Sequence, residues 1–188
     1  MTGPLFQRLE RRTGSAEGAC DAVQAVADRL GLAGADPRDE RLAGLALCGR
    51  GETPESVSKL LSWKDFEGFC SMILRAKGYL VRENVYLKRP RAQVDVLGVS
   101  GRISLAVDCK HWSRASGYAS LGRLVDSQKA RAKRLHDTLD EISPVAAVIL
   151  TLTDQGARFV NGGAIVPIFA FGDFLDHVDA HQAHLDLV

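Results

Sequence analysis

The sequence predicts an α/β fold in which a mixed sheet is flanked by helices, in the order helix, three strands, helix, strand, strand, helix. Three observations point to it. Two strand-like runs meet at Ser100-Gly101, a turn signal that favours a hairpin. Val145 to Leu152 is an unbroken apolar run, as expected of a strand covered on both faces. Helical apolar stripes precede and follow these strands. The chain has 188 residues, which suits one compact domain or one domain with a small helical extension. With 46% hydrophobic and 25% charged residues a core can form, which excludes wholesale disorder. A net charge of +1 supplies no general attraction for polyanions, so only local clustering can do so.

Residues 1–60 read as a helical extension and 61–188 as the main domain. In the extension, Val23, Val26, Ala27 and Leu30 form one stripe, and Gly31 can end that helix. Pro37 opens a second candidate containing Leu42, Leu45 and Leu47. Thr53-Pro54-Glu55 starts a third, with an N-cap threonine, proline at the first helical position and then an acid. Gly49-Arg50-Gly51 is a candidate hinge. The extension is expected to serve dimerisation, nucleic-acid contact or support of the core.

In the main domain, Ser62-Trp63-Lys64-Asp65 resembles a capping box and begins a helix that runs to about Lys77, where Gly78 stops it. Its apolar face is Trp63, Phe66, Cys70, Ile73 and Leu74. Strands are expected over 80–88, 93–99 and 102–110, a helix over 119–139, and strands over 145–152 and 164–171. Pro167 suggests an edge position for the last strand. A final helix carries Phe174, Leu175 and Val178. The four cysteines, Cys20, Cys48, Cys70 and Cys109, form no C-x-x-C pair and read as buried, reduced thiols of an intracellular protein. Neither a signal-peptide pattern nor a membrane-length apolar run is visible, so a cytoplasmic protein is expected.

If Ser100 and Gly101 form a two-residue turn, Val99 pairs with Arg102 and Asp95 with Ala106. Asp108 is then diagonal to Asp95 on the same face, roughly 7–8 Å away at the side-chain roots. Lys110 joins them two residues on, while Val94, Val96, Leu105, Val107 and Cys109 point to the other face. The trio is either a set of solvated charges on a half-exposed strand or a site for a hard cation. Mg²⁺ takes carboxylate oxygens, water and substrate phosphate, and a lysine beside it can orient an attacking water and offset developing charge. A turn longer by one residue would place Asp95 on the opposite face.

Glu67, at the edge of its helix's apolar face, is either a rim acid or a third acid of this site. Gln128 lies about one turn past Leu124 and faces inward. Around it run Arg123, Lys129, Arg131, Lys133 and Arg134. With Lys110, Arg114 and the Lys88-Arg89-Pro90-Arg91 run, this cluster is either a solvated face or a track for a phosphate backbone. Asp176, His177, His181 and His184 read as a solvated helix end, and His111 as structural or close to substrate. No serine or cysteine has a base partner by motif.

Residues from Trp63 to about Leu175 resemble the PD-(D/E)XK nuclease superfamily, in its Mrr-like restriction endonuclease and archaeal Holliday-junction-resolvase branches. The likeness rests on Trp63-Lys64-Asp65-Phe66-Glu67, Gly78-Tyr79, Gln93-Val94-Asp95-Val96-Leu97, Val107-Asp108-Cys109-Lys110-His111-Trp112 and Gln128, in this order. It implies a restriction-endonuclease-like αβββαβ core and a DNA endonuclease of restriction or repair type that leaves 5′-phosphate and 3′-hydroxyl ends. Asp95, Asp108 and the Cys109 carbonyl would hold Mg²⁺ or Mn²⁺, and Glu67 would contribute directly or through water. Lys110 would activate water, and Gln128 would orient the site or touch a phosphate. Lys88, Arg89, Arg91, Arg114, Lys129, Arg131, Lys133 and Arg134 would contact DNA. Position 108 is Asp where close relatives more often have Glu. A homodimer acting on branched DNA and a nucleoid-associated location are further expectations. The alternatives are a non-catalytic DNA-binding or assembly module on the same fold, and an interaction domain acting through the N-terminal helices.

Overall fold

The computed structural model describes residues 2–30, 32–88, 91–112, 117–139, 142–156 and 158–188. Its centre is a mixed sheet with strand order β1-β2-β3-β4-β6-β5. The strands are β1 Leu80–Leu87, β2 Ala92–Val99, β3 Ser104–Lys110, β4 Val145–Thr151, β5 Phe159–Val160 and β6 Gly163–Pro167. The pairs β1/β2, β2/β3 and β5/β6 are antiparallel, whereas β3/β4 and β4/β6 are parallel. β4 is buried along its whole length, as its uninterrupted apolar run predicts.

The helices are α1 Pro4–Thr13, α2 Ala16–Arg29, α3 Glu40–Cys48, α4 Pro54–Ser58, α5 Trp63–Ala76, α6 Tyr118–Thr138 and α7 Ile168–Asp176, followed by a 3-10 segment Val178–His184. α1 lies within the expected helical extension, where no bounds of its own are predicted; Pro4 opens it, and Leu5, Phe6 and Leu9 are buried along one stripe. Its first turn is capped from a distance: the Glu40 carboxylate accepts the N–H groups of Leu5 (2.7 Å) and Phe6 (2.9 Å). Gly3 makes room for this cap, because a Cβ there would lie 2.5 Å from the Glu40 Cδ. α3 starts at Glu40 and not at Pro37, since Asp39 accepts from the N–H groups of Arg41 and Leu42 and so sets the boundary. α2 ends with Leu30 as its C-cap, and Gly31 lies outside the described residues.

The expected strand over 164–171 is cut short. It stops at Pro167, and Ile168, Phe169, Ala170 and Phe171 open α7. Proline adds no ladder donor, and its fixed φ is suited to a position just before a helix.

The register of the β2–β3 hairpin also differs from expectation. Val96 pairs with Val107, Leu97 with Ala106 and Gly98 with Leu105. The connection is therefore Ser100–Ile103, two residues longer than a Ser100-Gly101 turn. Ser100 closes it, its Oγ accepting from the N–H groups of Arg102 and Ile103. A shift of two residues keeps the paired side chains on their faces, and the same register continued one step past Val96–Val107 sets Asp108 across from Asp95.

A large core joins α1, α2, α3 and α5 to Val96, Leu105 and Val107, and continues through Val148, Leu150 and Phe171. The N-terminal helices are thus packed into the same core as one face of the sheet. A smaller core on the other face joins Leu97, Ala106, Val145 and Ala147 to Ala132 and Leu135 of α6. Val94, which alternation places with Val96, packs into this smaller core. Asn84 explains the departure: it stands opposite Asp95 in the β1–β2 register and has φ 51°, interrupting the extended backbone at that level.

Candidate active site

Asp95 and Asp108 meet near the carboxyl end of β3, on the face towards α6. An acid in an interior strand is disfavoured by both propensity and desolvation. Asp108 is only 5% exposed, and its charge is matched by two cations: Lys110 Nζ lies 2.7 Å from Oδ2, and Arg131 Nη1 donates to Oδ1 at 3.2 Å. Asp95 Oδ2 accepts the Cys109 N–H at 2.9 Å, fastening β2 to the strand that carries Asp108. Burial raises the Asp95 carboxyl above its ordinary range, the Cys109 N–H opposing this and the Asp108 charge adding to it.

Glu67 approaches from α5, which packs on the opposite face of the sheet. Its carboxyl is pushed up to about 7, first by burial and then by the charges of Asp95 and Asp108, with Lys110 opposing. Among the described residues no three His, Cys, Asp or Glu side chains gather as a ligand set for a metal. The donors nevertheless suit a hard divalent cation: two opposed carboxylates, a third acid within electrostatic reach, and cations already drawn to Asp108. Asp95 and Glu67 both hold protons more tightly than usual, chiefly because they are buried and secondly because Asp108 is charged beside them.

Gln128 is fully buried, as its position on α6 predicts. Its Nε2 donates to the Ala106 carbonyl (2.9 Å), and its Oε1 accepts from Arg131 Nη1 (3.0 Å). Both ends of the amide are therefore occupied, one tying α6 to β3 and the other aiming Arg131. The Arg131 contact with Asp108 was not expected from the sequence; the only available signal was a cation three residues beyond an inward-facing glutamine.

A cleft of about 490 Å³ opens over the site, lined by Arg91, Gln93, Asp95, Asp108, Arg131 and Arg134 among others. The remaining basic residues are dispersed. Lys129 pairs with Asp186 and donates to the Asn161 carbonyl (2.7 Å), and Lys133 pairs with Asp137 one turn on. Lys88 is exposed in the turn after β1, while Arg89 and Arg114 lie outside the described residues. Trp63 is 66% exposed and not part of the α5 core face, which Phe66, Phe69 and Leu74 fill. His111 is structural: Nε2 lies 2.9 Å from the Ser58 carbonyl and the ring stands edge-on to Phe66. The half-buried Cys109 thiol is raised well above the usual thiol range, first by its contact with Cys70 and then by desolvation, which disfavours it as a nucleophile. Asp176, His177 and His184 are exposed, as a solvated helix end requires, while His181 is half-buried, stacked on Phe174 and tilted against Phe159.

The model of the Mrr catalytic-domain family, described as restriction endonuclease, matches residues 58–155. This span runs from the end of α4 through β4 and contains Glu67, Asp95, Asp108, Lys110 and Gln128. An uncharacterized protein of Archaeoglobus fulgidus is 27% identical over 126 residues, covering 65% of this chain and 96% of the relative. No solved structure matches the chain significantly. No helix among the described residues is long and apolar enough to cross a membrane.

Proposed function

Because the chain belongs to the Mrr-type restriction endonuclease family, and is therefore a nuclease of the restriction-endonuclease-like kind, we propose that it is a divalent-metal-dependent DNA endonuclease hydrolysing phosphodiester bonds. The observation that carries this reading is Asp95 held on the Cys109 N–H, next to Asp108, with Lys110 Nζ on Asp108. Asp95, Asp108 and the Cys109 carbonyl would hold Mg²⁺ or Mn²⁺, with Glu67 acting through water. When bound, such a cation polarises a phosphoryl oxygen and lowers the pKa of water.

The chain's own residues do the positioning. Asp95 grips the Cys109 N–H and so fixes the carboxylates relative to each other. Lys110 Nζ orients the attacking water and offsets charge that develops on the phosphoryl oxygens. Gln128 holds α6 against β3 and sets the place of Arg131. Arg91, Arg131 and Arg134 line the cleft through which a strand would pass.

The test is incubation of purified protein with Mg²⁺ or Mn²⁺ and linear, nicked, flapped or four-way DNA. Cleavage of at least one substrate is expected, with Asp108→Asn and Lys110→Met each slower by on the order of 10²–10³. Absence of cutting on all four, with Asp108→Asn indistinguishable from the parent, would sink the proposal. Light scattering with and without four-way DNA tests the proposed homodimer.

A further inference from the structure

Arg131 differs from Lys129 and Lys133 on the same helix. Lys129 and Lys133 pair with surface carboxylates away from the cleft, whereas Arg131 sits on the buried acid of the site itself. It does so loosely. One nitrogen, Nη1, serves both Asp108 Oδ1 at 3.2 Å and Gln128 Oε1 at 3.0 Å, in place of the two-pronged grip that guanidinium makes with a carboxylate. The side chain is a third exposed and lines the cleft beside Arg91 and Arg134.

Asp108 has two oxygens, and each faces a cation: Lys110 on Oδ2 and Arg131 on Oδ1. A divalent ion seeking Oδ1 meets a residue already there. Removing Arg131 with nothing in its place would leave a 5%-exposed carboxylate half compensated. A backbone phosphate in the cleft would offer Arg131 the paired oxygens that its present partners do not.

We propose that Arg131 is a displaceable counter-ion. It neutralises Asp108 while the cleft is empty and passes to a backbone phosphate when a nucleic-acid strand enters, so that strand and metal bind cooperatively. This rests on the nuclease reading above. By linkage, whatever factor the strand adds to metal affinity, the metal adds to strand affinity. Metal loading is thereby made conditional on substrate.

The measurement is Mn²⁺ affinity, read from free Mn²⁺ by electron paramagnetic resonance, on the full chain without DNA and with a cleavage-resistant phosphorothioate duplex. Without DNA, Arg131→Met should bind Mn²⁺ about 5-fold or more tightly than the parent, within the range usual for coupled sites. The duplex should tighten Mn²⁺ binding in the parent and do so much less in Arg131→Met. Arg131→Gln, which keeps a donor for Gln128, repeats the test if the methionine variant folds poorly. Arg91→Met removes the same charge from the same cleft without touching Asp108, and should leave Mn²⁺ affinity near the parent's. Equal tightening by Arg91→Met would overturn the proposal, since a diffuse field would then suffice. So would an Arg131→Met affinity equal to the parent's while Asp108→Asn abolishes binding, an outcome that leaves the nuclease reading standing. Mn²⁺ binding insensitive to Asp108→Asn would overturn both.

Discussion

The two faces of the sheet are built differently. Towards α5 and the N-terminal helices, the core is filled by large side chains, among them Phe6, Phe66, Phe69 and Phe171, all fully or almost fully buried. Towards α6 the apolar clusters are smaller, and one of them sets Ala106, Ala132 and Ala147 beside Leu97 and Leu135. Small residues let α6 lie close enough for the Gln128 amide to reach a strand carbonyl and for Arg131 to reach Asp108. Bulk on one face supplies stability. Alanines among the larger residues on the other let polar side chains touch the strands that carry the acids.

The strongest way to break this contrast is on the bulky face. Phe69→Ala should cost about 3–5 kcal/mol in chemical denaturation, while the folded fraction keeps the parent's cleavage rate. A loss of turnover per folded molecule would mean that the division between faces is wrong. On the α6 face, Ala132→Leu should cost about 1–3 kcal/mol by overpacking. Unlike Phe69→Ala, it should also slow cleavage by displacing Gln128 and Arg131, as single-turnover rates would show.

Between the faces stands Glu67. Its folded pKa, about 7, lies above the ordinary glutamate value of 4.5. Its contribution to stability is therefore fully present below the unfolded pKa and is lost as pH rises through the folded one. Melting temperatures of the parent should decline between about pH 4.5 and 7 relative to Glu67→Gln, and the two curves should run parallel above that window; parallel curves throughout would remove Glu67 from the acid cluster. The smallest effect belongs to the basic residues turned away from the cleft. Lys129→Met should change stability by about 0–1 kcal/mol and leave the salt dependence of DNA binding unaltered, which gel-shift titrations over several salt concentrations would check.

Much of this arrangement was legible in the sequence, but unevenly. Every element from α5 to β4 lies close to its expected place, because capping residues, a glycine stop and apolar periodicity agree there. Asp95, Asp108 and Lys110 share a face as alternation requires, even though the turn is two residues longer than Ser100-Gly101 suggests. Residues on both faces of β2 and β3 are buried, so apolar pattern alone does not select the register. Three features were not legible. α1 depends on a cap supplied by Glu40, 35 residues away from Leu5. Val94 changes core because of a left-handed asparagine on the neighbouring strand. The basic residues of α6 look alike in composition, and only the acids that happen to face them divide Arg131 from Lys129 and Lys133.

The Glu40 cap has a consequence for how the molecule breathes. The first amides of a helix ordinarily lack a partner inside the helix and exchange with solvent as the end frays. Here the Leu5 and Phe6 amides are held by a side chain at the start of α3. Their protons exchange when that carboxylate lets go of them, so a helix tip becomes a reporter of how α1 and α3 hold together in the helical layer. Since that layer shares its apolar interior with β2, β3 and β4, slow deuterium uptake at Leu5 and Phe6 would register the cohesion of the strands that hold the acids, from the far side of the sheet.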